Sequence, residues 1–112
     1  DYAATKAALL NLTVSLSKYL ARSGITVNTV SPGIVVTPGV EQFYRQEASR
    51  RGWGSAWEAI EAGVLTDILD NPVGRLGRPS EVADLVAFVA SPLAGYINGA
   101  NLRIDGGSTA VI

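Results

Sequence analysis

Ile25-Thr26-Val27-Asn28-Thr29-Val30-Ser31-Pro32-Gly33 is a β-branched run closed by a proline and a glycine. Bounded by Gly24 and Pro32, its first six residues predict a strand over 25–30. Ser31-Pro32-Gly33 is expected to break that strand at its carboxyl end: proline stiffens the backbone, and glycine, with no Cβ, lets another group approach closely. Upstream, Leu9, Leu12, Leu16 and Leu20, with Ala3, Ala7, Ala8 and Ala21 between them, recur at three- and four-residue steps. That spacing predicts a helix from Tyr2 to about Arg22, stopped at Gly24. A strand following a helix so closely suggests a βαβ crossover, hence a parallel sheet, whose first strand is not in the chain. In open α/β sheets ligands bind at the carboxyl ends of strands. The Ser-Pro-Gly turn is therefore a candidate ligand edge, with a plain turn as the alternative.

At the head of the helix stands Tyr2-Ala3-Ala4-Thr5-Lys6. Four residues apart, the phenol and the ammonium project from one face. A free phenol has a pKa of roughly 10, and a nearby cation favours the phenolate and pulls that value down. Such a pair suits acid/base catalysis, although a half-buried Tyr beside a solvated Lys on an ordinary helix gives the same spacing. The helix is apolar on more than one side, since Leu10, Val14 and Tyr19 lie off the main stripe, and it should be buried on more than one side.

Downstream, 40–50 reads as a charged helix broken by Gly52 and Gly54, and 56–69 as another with Ile60, Val64, Ile68 and Leu69 on one side. Asn71 to Arg78 is a polar, Gly-rich connection. Pro79-Ser80-Glu81 then opens a helix with proline in its first turn and an acid near the positive end of its dipole. Val82, Leu85, Val86, Phe88 and Val89 carry an apolar face to Ala90, and Ser91-Pro92 closes it. After a loop over 93–100, the Leu102/Ile104 alternation predicts a last strand at 101–105, ended by Gly106-Gly107. Two strands and four helices are thus expected. Arg75 and Arg78 are expected to tether their connection to neighbouring carbonyls or carboxylates.

The 112 residues make at most one domain, 47% of them apolar, with a formal charge of −1. No basic run or face argues for nucleic acid or a membrane surface, so neither is expected as a partner. Without cysteine or histidine no disulfide can form and no transition-metal site is expected. No apolar run reaches the roughly 18 residues of a spanning helix, and no secretory leader is expected. A cytoplasmic location is expected.

Tyr2…Lys6, Asn28-Thr29-Val30-Ser31-Pro32-Gly33-Ile34-Val35-Val36-Thr37, Gly74-Arg75-Leu76-Gly77-Arg78-Pro79-Ser80-Glu81 and Gly99…Asp105-Gly106-Gly107, in this order and at these spacings, resemble the C-terminal half of a classical short-chain dehydrogenase/reductase. The resemblance covers essentially the whole chain and is loosest over 39–71. It implies an α/β fold, the C-terminal half of a Rossmann-like, doubly wound parallel sheet. The N-terminal nucleotide-binding half, with the Gly-rich fingerprint and catalytic serine, would lie upstream of Tyr2. Residues 1–112 would form one partial domain, with a substrate lid over 38–70 whose inner wall draws on Phe43, Tyr44, Trp53 and Trp57. Each aromatic is equally readable as an anchor to the core.

The implied chemistry is hydride transfer between NAD or NADP and a small-molecule carbonyl or secondary alcohol. Tyr2 would be the general acid/base and would also contact the cofactor, and Lys6 would be catalytic beside it. Lys6 would hold the nicotinamide ribose hydroxyls, Pro32 and Gly33 would set the ring's face, the Val35 backbone would meet the carboxamide, and the Thr37 hydroxyl would assist. A homo-oligomer, dimer or tetramer, is implied as well, the tetramer being the family's habit. It would cover a second face of the first helix and dock the apolar tail 108–112; packing within one chain is the alternative for that helix. The alternative function is a truncated, non-catalytic fragment that self-associates or needs a complementing N-terminal half. The isolated 112-residue chain is expected to be inactive.

Overall fold

Asp1 opens the first helix, its carboxylate accepting from the Tyr2 amide, and α1 runs Tyr2–Tyr19. The computed structural model describes residues 1–110. Among them are five further regular elements: β1 (Thr29–Pro32), α2 (Pro38–Arg51), α3 (Trp57–Asp67), α4 (Pro79–Val89) and β2 (Asn101–Ile104), with a short 3-10 turn at Pro92–Ala94 before β2. The chain divides into two compact units, one built from residues 1–31 and 83–103, the other from 32–82 and the segment from 104 onward. The expected docking of the C-terminal tail rests largely on Val111 and Ile112, which lie outside the described residues.

The expected order of helices and strands is present, and the two strands pair in parallel. The amide donors advance from Thr29 to Gly33 while the acceptor carbonyls advance from Ala100 to Ile104, at 2.9 and 3.0 Å. The strand nevertheless starts later than predicted, at Thr29 rather than Ile25, and runs on through Pro32. Before it one backbone bond remains, from the Gly99 amide to the Val27 carbonyl at 2.8 Å, and side chains supply the rest. Asn28 accepts from the Ala100 amide and donates to the Ile97 carbonyl, and the Val27 amide donates to the Asn98 side chain. Pro32 has no N–H to lose, so it ends the strand without leaving an unpaired donor.

In the first unit α1 stops short of the predicted Arg22. Ala21 makes a tighter bond to Lys18, and Arg22 and Gly24 take left-handed conformations that turn the chain back. Its packed face also differs from the expected leucine stripe. The buried positions are Thr13 and Ser17, the Thr13 hydroxyl meeting that of Thr29 at 2.6 Å. Leu9, Leu12 and Leu16 are exposed. Small hydroxyl side chains let the helix sit close to the backbone beside it: a Cβ on Gly99 would fall 2.7 Å from the Ser17 oxygen.

The second unit holds the core. Tyr44 and Ala48 from α2, Ile60 and Val64 from α3, and Leu76 are buried together, with Ile34, Val36, Trp53 and Trp57 packed around them. Ile60, Val64 and Leu76 are essentially sealed from solvent, and each such side chain contributes about 1.5–3 kcal/mol on leaving water. Ile60 and Val64 lie on the face predicted for 56–69, whereas Ile68, also assigned to that face, is exposed beyond the helix end. Gly52 closes α2 in the left-handed conformation that glycine adopts without steric cost.

Candidate active site

α1 brings Tyr2 and Lys6 together as its periodicity requires. The Lys6 ammonium lies 5.5 Å from the centre of the Tyr2 ring, and Tyr2 is 72% exposed. A charge over an aromatic face is worth about 0.5–1 kcal/mol at such a site, enough to bias the lysine toward the ring without fixing it. The phenol is open to a reacting group, and the cation stands one helical turn away.

Pro32, Gly33, Val35 and Thr37 belong to the second unit, where all four line one cavity of about 680 Å³. Ile34, Val40, Phe43, Tyr44, Pro79 and Val82 complete an almost wholly apolar wall. Each of the four residues also has a structural task. A Cβ on Gly33 would fall 2.9 Å from the Asp105 Cα, so the group that approaches this glycine is the end of β2. The Thr37 hydroxyl caps α2 by accepting from the Val40 amide at 3.3 Å. A hydroxyl has two lone pairs and one proton, so the cap leaves the proton to donate.

Val35 is held by its neighbours. Val35 and Gly77 form a parallel bridge in which the Gly77 amide donates to the Ile34 carbonyl at 3.0 Å and the Val36 amide donates to the Gly77 carbonyl at 2.9 Å. In that pattern the residue between the two bonded groups turns its own N–H to the opposite side. The Val35 amide accordingly has no hydrogen-bond partner among the described residues.

The four aromatic candidates separate. Phe43 and Tyr44 line the cavity, edge to face with centroids 5.2 Å apart, and burial pushes the Tyr44 phenol above its ordinary pKa. Trp53 instead lies against Gly63 and donates to Asp67 at 2.8 Å, and Trp57 packs on the core beneath the Arg45 guanidinium. These two are anchors. Arg75 tethers its connection as expected, with a two-pronged pair to Glu81 at 2.5 and 2.9 Å and a bond to the Leu76 carbonyl. Arg78 contributes through its backbone amide, which donates to Glu81. The paired guanidinium and this amide hold the Glu81 carboxyl at about 2, well below the usual range.

A family model described as enoyl-(acyl carrier protein) reductase matches residues 1–109. The chain belongs to the short-chain dehydrogenase/reductase family. It is 37% identical over 107 residues to the 3-oxoacyl-[acyl-carrier-protein] reductase FabG of Haemophilus influenzae, covering 96% of this chain and 38% of that protein. With oxidoreductase UcpA of Escherichia coli K12 the identity is 45% over 109 residues, again 96% of this chain and 38% of the relative. Among solved structures, a short-chain dehydrogenase family protein from Francisella tularensis superposes with a TM-score of 0.80 at 32% identity, over 98% of this chain and 43% of that one. The L-sorbose reductase of Gluconobacter frateurii, solved with NADPH and L-sorbose, gives 0.84 at 27% identity, over 99% and 41%. The fold is thus part of a Rossmann-type α/β domain, and the chain spans about two-fifths of the length of the curated relatives it matches.

Sequence reasoning missed the roles of Asn28, Thr13 and Ser17. Asn28 stands inside a β-branched run that predicts only its backbone; an amide that both donates to and accepts from a neighbouring segment carries no periodic signal. Hydroxyl residues on a leucine-rich helix were equally silent, because apolar spacing marks a packed face only where the packing is apolar.

Proposed function

We propose that the residues of this chain serve a hydride transfer between NAD or NADP and a small-molecule carbonyl or secondary alcohol, in a longer polypeptide that supplies the pyrophosphate site. The observation that carries the reading is the Tyr2–Lys6 pair on one face of α1, 5.5 Å from ammonium to ring. The second unit fits a nicotinamide ring: an apolar cavity edge carries an outward amide at Val35 for a carboxamide oxygen and a spare hydroxyl proton at Thr37. The cofactor supplies or accepts the hydride at the substrate carbon. In reduction Tyr2 gives its phenolic proton to the developing alkoxide, and in oxidation it takes the alcohol proton. The Lys6 ammonium binds the ribose hydroxyls. The same reading places the protein in the cytoplasm and 38–70 as the lid over the substrate.

In the complete polypeptide, Tyr2→Phe is expected to lower kcat by about a hundredfold to ten-thousandfold with cofactor affinity retained. Titration with NADH and NADPH, followed by Trp53 and Trp57 fluorescence, measures the affinity. Retention of full activity in Tyr2→Phe overturns the assignment. A second reading, a non-catalytic fragment that self-associates or takes a complementing half, is favoured by the exposed leucines of α1. An intact mass of the natural product well above 11.7 kDa decides for the enzyme.

A further inference from the structure

We infer that Arg75, with Glu81 and Glu61, is a positioning device for the cofactor edge: it fixes Gly77 so that Gly77 holds Ile34 and Val36 and turns the Val35 amide outward. The inference rests on the proposed function for what that amide meets.

The Leu76 side chain anchors the connection between α3 and α4 in the core, and the backbone there is pinned from both sides as well. The Leu76 amide donates to the Glu61 carboxylate of α3 at 2.9 Å, while the Leu76 carbonyl accepts from the Arg75 guanidinium at 3.1 Å. Both backbone groups of the residue before Gly77 are therefore fixed by charged side chains. The residue after it is fixed too, because the Arg78 amide donates to Glu81 at 2.8 Å. Arg75 and Glu81 close the frame with their two-pronged pair. An exposed single ion pair stabilises little, but a planar fork sharing its donors with a carbonyl has one geometry.

Gly77 sits in that frame with no freedom to drift. Its N–H and C=O are the two groups that bond Ile34 and Val36, and a Cβ there would fall 3.3 Å from the Ile34 carbonyl oxygen, tighter than an ordinary contact. Position is thus passed from three charged side chains to one glycine, and from that glycine to the amide it leaves unbonded. A ring seated on Val35 reacts only if its carboxamide is held in one orientation. A misplacement of about 1 Å can cost on the order of a hundredfold in rate.

The test uses the complete polypeptide with Arg75→Met, and with Glu81→Gln as the nearly isosteric variant that carries the test where Arg75→Met does not fold. Two quantities are read: exchange of the Val36 and Gly77 amides, and the KM and facial stereochemistry of hydride transfer from 4-deuterated NADH and NADPH. The clamp predicts exchange at those two amides at least about tenfold faster with α2 amides unchanged, a cofactor KM raised about tenfold, and deuterium transferred from both ring faces. Unchanged exchange overturns it. Faster exchange with unaltered KM and stereochemistry also overturns it, since the clamp would then be structural only. A wild-type polypeptide that binds neither nucleotide overturns the proposed function and this inference with it, an outcome distinct from wild type and variants binding equally well.

Discussion

Gly63 sits in the middle of α3 where alanine would favour the helix, and the reason lies in what rests on it. A Cβ there would fall 2.3 Å from the indole of Trp53. The indole also donates to Asp67 and is covered by the Arg51 guanidinium, 5.4 Å from the ring. Gly63→Ala should therefore destabilise despite its better helix propensity, because the ring must leave its seat and give up the Asp67 bond. Overpacking of this kind costs about 1–3 kcal/mol, against about 1 kcal/mol gained from propensity. Urea denaturation followed by Trp fluorescence measures the balance, and a red-shifted native emission is expected as the indole swings outward. The same reasoning explains Gly33, whose missing Cβ admits the backbone of Asp105. Read from sequence, that glycine suggested room for a ligand; the apposed strand is the nearer cause.

The short elements divide by what held them in the sequence. α3 and β2 followed from alternation and three-to-four spacing, because their apolar residues pack where those periods point. β1 began late because Asn28 and Asn98 make ladder-like bonds with side chains, which no backbone propensity records. Spacing alone gave the juxtaposition of Tyr2 and Lys6, while their reading as a site drew on the family resemblance; the pinning of Gly77 was not legible, since it depends on a glutamate fifteen residues before the backbone it holds. The Arg75–Glu81 pair also has a definite acid dependence. Its carboxyl has a folded-state pKa of about 2 against an ordinary value of 4.5. A carboxylate depressed in the folded state contributes stability that is fully present above its unfolded value and is lost as pH falls through the folded one. The pair should thus be constant from pH 5 upward and fail between about pH 4.5 and 2. The Glu81 carboxyl carbon shift should titrate near the lower figure, and Arg75→Met should move the midpoint upward.

α1 shows what the chain as a whole asks of its surroundings. Thr13 and Ser17 are its buried face, while Leu9, Leu12 and Leu16 stand 47%, 50% and 38% exposed, with Val14 and Tyr19 exposed as well. A helix whose hydroxyls are packed and whose leucines are open carries its strongest driving force for burial outward. The chain spans about two-fifths of its relatives, so two coverings are distinguishable: the remainder of a longer polypeptide, or another copy. Prepared alone, the 112-residue chain should associate with rising concentration in sedimentation velocity. Leu9→Glu with Leu12→Lys should suppress that association at unchanged helicity by circular dichroism, because neither side chain is buried within the chain. Placed in the complete polypeptide, the same pair should lower unfolding stability by about 2–5 kcal/mol for each leucine that the rest of the chain covers. If dimer contact alone covers them, the loss should appear as dissociation with the monomer's stability intact. An isolated chain that stays monomeric at high concentration, with its leucines unprotected, would contradict the outward-facing reading of α1.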